Sequence, residues 1–190
     1  MIAHASKTVH VADGDLVAAI ASGNLTSLGV LFDRYYDDVR RVLSRLGIAP
    51  SDLDDLVQQT FLDVPRASTR FRPGAAVRPW LFGLATVVAR RRRRSLSRMF
   101  ARLQEWARQP PAAAAPTPAE KYEQSAEAQR AWRALASLAP KKRDAFVLVA
   151  LEGLPCAEAA EALGVPVATI WTRVHHARIE LRALLEERES

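Results

Sequence analysis

From Leu28 to Leu46 apolar side chains return every three or four positions: Leu28, Leu31, Phe32, Tyr35, Tyr36, Val39, Val42, Leu43 and Leu46. That spacing predicts an amphipathic helix with one apolar face, stopped by Gly47. Before it, Asp13–Ser22 reads as a short helix that ends near Gly23-Asn24. After it, Ser51 is placed to cap a further helix, with Asp54 three positions on where a capping box would use Glu or Gln. This helix buries Leu53, Leu56, Val57, Thr60 and Phe61, exposes Asp52, Asp54, Asp55, Gln58 and Gln59, and is kinked or ended by Pro65. Arg70-Phe71-Arg72-Pro73-Gly74 is a loop by its turn residues. Pro79 suits the start of another helix, which directs Trp80, Leu81, Leu84, Val87 and Val88 inward.

The segment QPPAAAAPTPA, Gln109 to Ala119, has no large apolar side chain and several prolines, so it reads as an extended tether. Beyond it, Tyr122–Leu138 and Lys141–Leu151 each predict a helix. Leu154 to Leu185 then predicts two helices joined by a tight turn at Leu163-Gly164-Val165-Pro166, where Gly164 can take the left-handed conformation of a helix end. In the last helix Val167, Ile170, Val174, Ala177, Leu181 and Leu184 form an inward stripe. The opposite face carries Ala168, Trp171, Thr172, His175 and Arg178, flanked by Arg173 and His176.

Few β-branched runs and many Ala, Leu and Arg favour an all-α chain. Two small helical domains follow, 1–107 and 120–190, joined by a flexible Ala/Pro-rich linker at 108–119. A hydrophobic content of 49% is enough for real cores. The single cysteine, Cys156, excludes an internal disulfide, and a reducing compartment fits. Met1–His10 is polar and no apolar run approaches about 18 residues, so a cytoplasmic protein is expected.

Charge changes the picture because it is unevenly placed. The net charge is −4 over residues 1–65, +11 over 66–108 and −1 over 109–190. The whole-chain excess of +6 therefore arises in one central stretch containing the run Arg90–Arg94. An ordinary solvated helix mixes signs along its face, whereas this stretch is the footprint of a surface that binds a polyanion. Five consecutive helical residues cover more than one turn, so two or three of these arginines would touch phosphate and the rest would be solvated. The C-terminal helix pair, with its outward polar and cationic face, has the form of a helix-turn-helix that enters a DNA major groove. Adjacent His175 and His176 point about 100° apart on a helix, which is poor geometry for a metal.

Two sets of segments resemble a known family. Asp54-Asp55-Leu56-Val57-Gln58-Gln59-Thr60-Phe61, Phe71-Arg72-Pro73-Gly74 and Val77-Arg78-Pro79-Trp80-Leu81-Phe82 are similar to the first globular domain of bacterial sigma factors. The short extracytoplasmic-function (ECF) group of the sigma-70 family is the nearest likeness. Leu138-Ala139-Pro140, Glu152-Gly153-Leu154, Ala159 through Pro166 and Ala168 through Arg178 resemble the last domain of that group. The likeness covers about residues 13–95 and 125–185.

The resemblance implies a dissociable promoter-recognition subunit of RNA polymerase, with no cofactor and no enzymatic chemistry. Asp54, Asp55, Gln58 and Gln59 would dock on the clamp helices of the β′ subunit. Phe71, Arg72, Arg78, Arg90, Arg91, Arg92, Arg93 and Arg94 would serve the −10 side, with a flipped base held in the loop around Phe71–Val77. Ala168, Thr169, Trp171, Thr172, Arg173, His176 and Arg178 would serve the −35 side, on a domain seated on the β flap. An anti-sigma partner is expected, and direct membrane insertion is not.

Phe71 can stack on a base or sit in the core, and its residue type leaves both open. Some positions depart from the family pattern. Thr86-Val87 stands where relatives carry Arg-Asn, Trp171 replaces a Lys, His176 replaces an Arg, and Pro155 takes the place of a Ser or Thr cap. Two rival readings belong to other classes. A free-standing helix-turn-helix regulator needs a ligand or dimerisation domain that the sequence does not display. A site-specific recombinase needs a nucleophile with supporting groups or a carboxylate cluster for metal, and Asp52, Asp54 and Asp55 lie on one helix without a partnering His.

Overall fold

The computed structural model describes residues 11–106 and 126–186, so the 108–119 linker lies outside the described residues. All regular structure among them is helical: α1 (Asp13–Ala21), α2 (Leu25–Arg45), α3 (Pro50–Ser68), α4 (Val77–Trp106), α5 (Ala126–Ser137), α6 (Pro140–Phe146), α7 (Cys156–Leu163) and α8 (Val167–Glu186). A π-helical turn, Val147–Leu151, continues α6.

Helix α2 is the centre of the N-terminal half. The Asn24 side chain accepts hydrogen bonds from the Thr26 and Ser27 amides at 3.0 and 3.3 Å, which satisfies two otherwise orphaned donors. Leu31, Tyr35, Val39, Val42 and Leu43 are buried along the expected stripe. Asp13 of α1 takes hydrogen bonds from Arg34 and from the Tyr35 hydroxyl, which ties α1 to α2. Gly47, with φ +86°, ends α2 in the left-handed conformation.

Helix α3 differs from expectation at its start, and Pro65 does not end it. It begins at Pro50, whose fixed φ suits a first helical position, so Ser51 lies inside the helix and caps nothing. It also runs one turn past Pro65. A proline this close to the C-terminus removes one ladder bond, and the Ser68 and Thr69 hydroxyls bond back to the Pro65 and Arg66 carbonyls.

Helix α4 starts at Val77, two residues before Pro79, and is buried more widely than its apolar stripe predicts. Leu81 and Val88 are buried as expected, but so are Phe82, Gly83, Ala85, Thr86 and Ala89, while Val87 is 37% exposed. The reason is that α4 is packed on two sides, by α2 and α3 and by α7. A side chain at Gly83 would bring its Cβ to 2.6 Å from the Ala162 carbonyl oxygen. Glycine therefore lets α7 lie directly against α4. The Thr86 hydroxyl donates to the Phe82 carbonyl at 2.8 Å and stays in the core.

In the C-terminal half the π turn replaces what reads as plain helix over Lys141–Leu151. The Glu152 amide bonds to the Val147 carbonyl at 2.9 Å, five residues back. Gly164 is left-handed (φ +64°) as expected between α7 and α8. Ile170, Val174 and Ala177 are buried along α8, whereas Val167 and Leu184, placed on the inward stripe by spacing, are exposed at its ends.

The two halves share one apolar cluster, which includes Leu43, Phe82, Leu148, Leu163 and Ile170. Ion pairs reinforce it. Glu152 accepts from Arg45 (2.6 Å), Arg41 (3.1 Å) and Arg78 (3.2 Å), and Asp144 accepts from Arg90 (2.7 Å) and Arg93 (3.0 Å). Arg143, buried, donates to the Leu46 and Leu138 carbonyls and to Ala136. Its burial, with Arg93 nearby, lowers its pKa from the ordinary value.

Asp38 joins the same network through Arg41 and Arg78. Burial acts to raise its pKa, but hydrogen bonds from the two arginines outweigh this and hold it below the ordinary 3.8. A carboxylate depressed on folding contributes stability above its unfolded pKa and loses it as pH falls through the folded value.

Asn24→Ala is expected to lower unfolding stability by about 1 kcal/mol, and Asn24→Gly by only a few tenths, in urea titrations. In Asp38→Asn, the loss of stability as pH falls from about 5 through the acid range should be shallower than in the parent chain, measured by the same titration at each pH. Equal slopes would show that Asp38 contributes nothing to acid unfolding.

Candidate nucleic-acid and polymerase interfaces

The residues singled out by sequence fall on three separate surfaces. On α3, Asp54, Asp55, Gln58 and Gln59 are all exposed. Asp54 accepts hydrogen bonds from the Tyr36 hydroxyl (2.8 Å) and Arg40 Nε (3.0 Å), which hold its carboxyl below the ordinary range; the bond to Asp54 in turn raises the Tyr36 phenol. Gln59 donates to Asp63 at 3.4 Å. Asp55 and Gln58 have no partner among the described residues. Leu62 completes the patch and was missed by the sequence reading. It is 63% exposed one turn beyond Gln58 and Gln59, and its signal was an apolar residue off the buried stripe. A rim of carboxylate and amide around one exposed leucine suits a helical protein partner better than a solvated face does.

The second surface is α4 with the loop before it. Phe71 packs edge-to-face on Trp80, ring centroids 5.0 Å apart, yet stays half-exposed. It braces Trp80 and borders a cleft of about 340 Å³. Arg70, Arg72, Gly83 and Val87 line this cleft from the N-terminal half, and Glu158 and Glu161 from α7. Arg72 pairs with Glu161. Arg78 lies over the Phe82 ring at 4.8 Å and bonds Asp38 and Glu152.

The arginine run is divided by helical geometry. Arg90 and Arg93 turn to Asp144, Arg91 bonds Asp63 (3.0 Å) and Arg92 bonds Asp52 (2.9 Å). Arg94 and Arg98 are exposed with no carboxylate partner among the described residues. In this arrangement Arg94 is the member of the run most open to phosphate. Thr86, buried, has no reach to a base.

The third surface is the outer face of α8. Ala168, Trp171, Thr172, His176 and Arg178 are exposed, and Thr169 and Arg173 half-buried. Trp171 is 63% exposed, a large apolar ring standing in solvent at the start of a recognition-type helix. Thr172 donates its hydroxyl proton to the Ala168 carbonyl (3.0 Å), which leaves its oxygen as an acceptor and its methyl for contact. The His175 and His176 rings are 5.8 Å apart and tilted by 49°. Among the described residues no group of three or more His, Cys, Asp or Glu could hold a metal ion, and no helix is long and apolar enough to cross a membrane.

Comparison with known proteins identifies the family of the chain. Residues 31–99 match the model of sigma-70 region 2, and residues 128–181 match that of sigma-70 region 4. The chain is 32% identical over 181 residues to the RNA polymerase sigma factor CnrH of Cupriavidus metallidurans, covering 92% of this chain and 95% of that one. It is 35% identical over 162 residues to the ECF sigma factor SigE of Mycolicibacterium smegmatis, covering 84% of this chain and 62% of that longer protein. Among solved structures, CnrH in complex with the cytosolic domain of CnrY aligns with a TM-score of 0.66 at 30% identity, over 93% of this chain and 98% of that chain. RpoE of Bartonella quintana, in complex with the anti-sigma factor NepR, aligns with a TM-score of 0.61 at 25% identity, over 83% of this chain and 96% of that chain. With both conserved regions present in order on one all-helical chain, this protein belongs to the ECF group of the sigma-70 family, the RNA polymerase sigma factors that direct transcription initiation.

Proposed function

We propose that the chain is a non-enzymatic, cytoplasmic sigma factor in which each of the three surfaces has one task. Residues 1–107 form the unit that grips core polymerase and the −10 element, 108–119 the linker, and 120–190 the unit that reads the −35 element. Asp54, Asp55, Gln58 and Gln59, together with Leu62, meet the β′ clamp helices. Phe71, Arg72, Arg78 and the run Arg90–Arg94 serve the −10 side, with Arg94 and Arg91 the most accessible of the run. Ala168, Thr169, Trp171, Thr172, Arg173, His176 and Arg178 serve the −35 side. The reading is carried by one observation: a polar patch on α3 that ends in Leu62 and a separate helix face bearing Trp171 are both exposed on a single chain.

Chemistry supports this division. Acids and amides around a leucine suit a cationic helical partner. An exposed Trp with Arg173 and Arg178 suits a groove, where the ring covers a thymine methyl and guanidinium groups reach guanine or phosphate. With Trp171 in place of the Lys of relatives, an apolar ring replaces a cation on this face, and the −35 preference differs from that of Lys-bearing relatives. An anti-sigma partner is part of the proposal, supported by the relatives CnrH and RpoE, whose structures hold CnrY and NepR.

Run-off transcription with core enzyme should yield a promoter-specific product only when the protein is added, without ATP hydrolysis, and identical products in both reactions would refute the proposal. Asp55→Arg with Gln58→Ala is expected to weaken core association about tenfold in pull-down titrations and leave binding to free DNA unchanged. If that variant still supports transcription while unable to hold core enzyme, a free-standing regulator is the better reading. Arg173→Ala should cost about 1–3 kcal/mol on a matched −35 element and relax its sequence preference. Arg94→Ala should weaken all sequences alike and reduce the salt slope by about 1.

A further inference from the structure

Two adjacent histidines stand on the outer face of α8. His175 and His176 are both exposed, their ring centroids 5.8 Å apart and tilted by 49°. At 100° per residue, Ala168, Thr172 and Ile179 fall within about 40° of one another and form the middle line of this face. His175 lies on one side of that line with Trp171 and Arg178, and His176 on the other with Thr169 and Arg173. Each imidazole thus shares its flank with an arginine three positions away.

A helix lying in a major groove about 12 Å wide turns its middle line to the base edges and its flanks to the phosphate walls. Toward a phosphate the two forms of histidine differ. Neutral imidazole offers one N–H donor and one acceptor, whereas imidazolium offers two donors and a charge. An anion beside the ring favours the charged form. Histidine is the side chain whose unperturbed titration, near about pH 6.5, falls within the physiological range.

The charged groups around α8 leave the pair open. Helix α8 packs on α5, α6 and α7 through its buried face, Ile170, Val174 and Ala177. On α6, Lys142 pairs with Glu180, one turn beyond His176, and Asp144 is taken by Arg90 and Arg93. Arg143 of α6 is buried against backbone carbonyls. On α7, Glu161 pairs with Arg72 and Glu158 lines the Phe71 cleft. Arg130 and Arg133 of α5, Lys141 of α6 and Arg182 of α8 are exposed cations. Among the described residues no carboxylate is within ion-pair reach of either imidazole.

We propose that His175 and His176 form a proton-linked grip on duplex DNA, each held as imidazolium against a phosphate on its own side of the groove. Binding the duplex through α8 therefore takes up protons and strengthens as pH falls. The inference rests on the reading that α8 enters the −35 element. It adds His175 to that surface and gives His176 a phosphate to contact. Ala168 and Thr172 are short enough to let the helix sink until the flanks meet the two backbones.

The test follows binding of the full-length chain to a labelled, scrambled duplex of about 20 base pairs by anisotropy, since phosphate contacts are independent of sequence. At constant ionic strength, the parent should bind about tenfold tighter at about pH 5.5 than at about pH 8. Its slope of log affinity against log salt should be steeper by about 1–2 at the acid end, because each new phosphate contact adds about 0.9. His175→Gln/His176→Gln should respond to pH by less than about twofold and keep one salt slope throughout. His175→Lys/His176→Lys, with charges that do not titrate in this range, should bind at about pH 8 nearly as tightly as the parent does at about pH 5.5. His4→Gln/His10→Gln, which changes the other two histidines of the chain, should behave as the parent.

A pH response that survives in the Gln pair overturns the proposal, as does a parent salt slope that is the same at both ends. A Lys pair no tighter than the Gln pair at about pH 8 does so too. Arg173→Ala/Arg178→Ala separates the two failures. If it weakens binding while the pH response outlasts the histidines, only the proton-linked grip falls. If neither the arginine nor the histidine variants change binding at any pH, α8 does not touch the duplex and the −35 reading falls with it.

Discussion

Two carboxylates out of reach of water, Asp144 and Glu152, are the constraint on which the arrangement of the two halves depends. Removing one partner from a buried ion pair typically costs about 3–5 kcal/mol, because the remaining charge is left uncompensated. Here the partners come from the other half of the chain, so the halves cannot separate without breaking five guanidinium–carboxylate hydrogen bonds and leaving their groups to water or to another anion. Opening itself re-solvates the acids, which softens that penalty. Buried pairs of this kind contribute less to net stability than to the choice of one arrangement over others.

Helix α4 is where these demands meet. One side packs on α2 and α3, another receives α7 through Gly83, and the remaining surface carries arginines. A run of five arginines winds through more than a full turn, so its members cannot share a fate. Arg90 and Arg93, three apart, fall on the side of Asp144; Arg91 and Arg92 find acids on α3; Arg94 faces solvent. The same helix therefore supplies a core face, an inter-half cross-link and an accessible cation. The surfaces assigned to polymerase and to the −35 element lie elsewhere, on α3 and α8, and stay exposed while the α4 cleft is flanked by α7.

Much of the candidate site was legible in the chain itself. The α3 patch followed from acids and amides off an apolar stripe, and all four of its named residues are exposed. The outward face of α8 followed in the same way, with Trp171 exposed on it. Leu62 was not found because periodicity flags apolar residues for burial and says nothing about one left outside. The pairing of Arg78, Arg90 and Arg93 was not found either, since their acids lie 40 or more residues away in sequence and carry no local signal.

What the sequence determined by itself is the set of helices and the faces each would bury, because helix formation and amphipathicity depend on neighbours three and four positions apart. Asn24, Gly47 and Gly164 marked helix ends for equally local reasons. The tertiary structure alone decided that α4 is buried on two sides, that Thr86 belongs to the core, and that Asp144 and Glu152 serve arginines of the other half. Those outcomes depend on which surfaces meet in space, and a long-range meeting leaves no period in the chain.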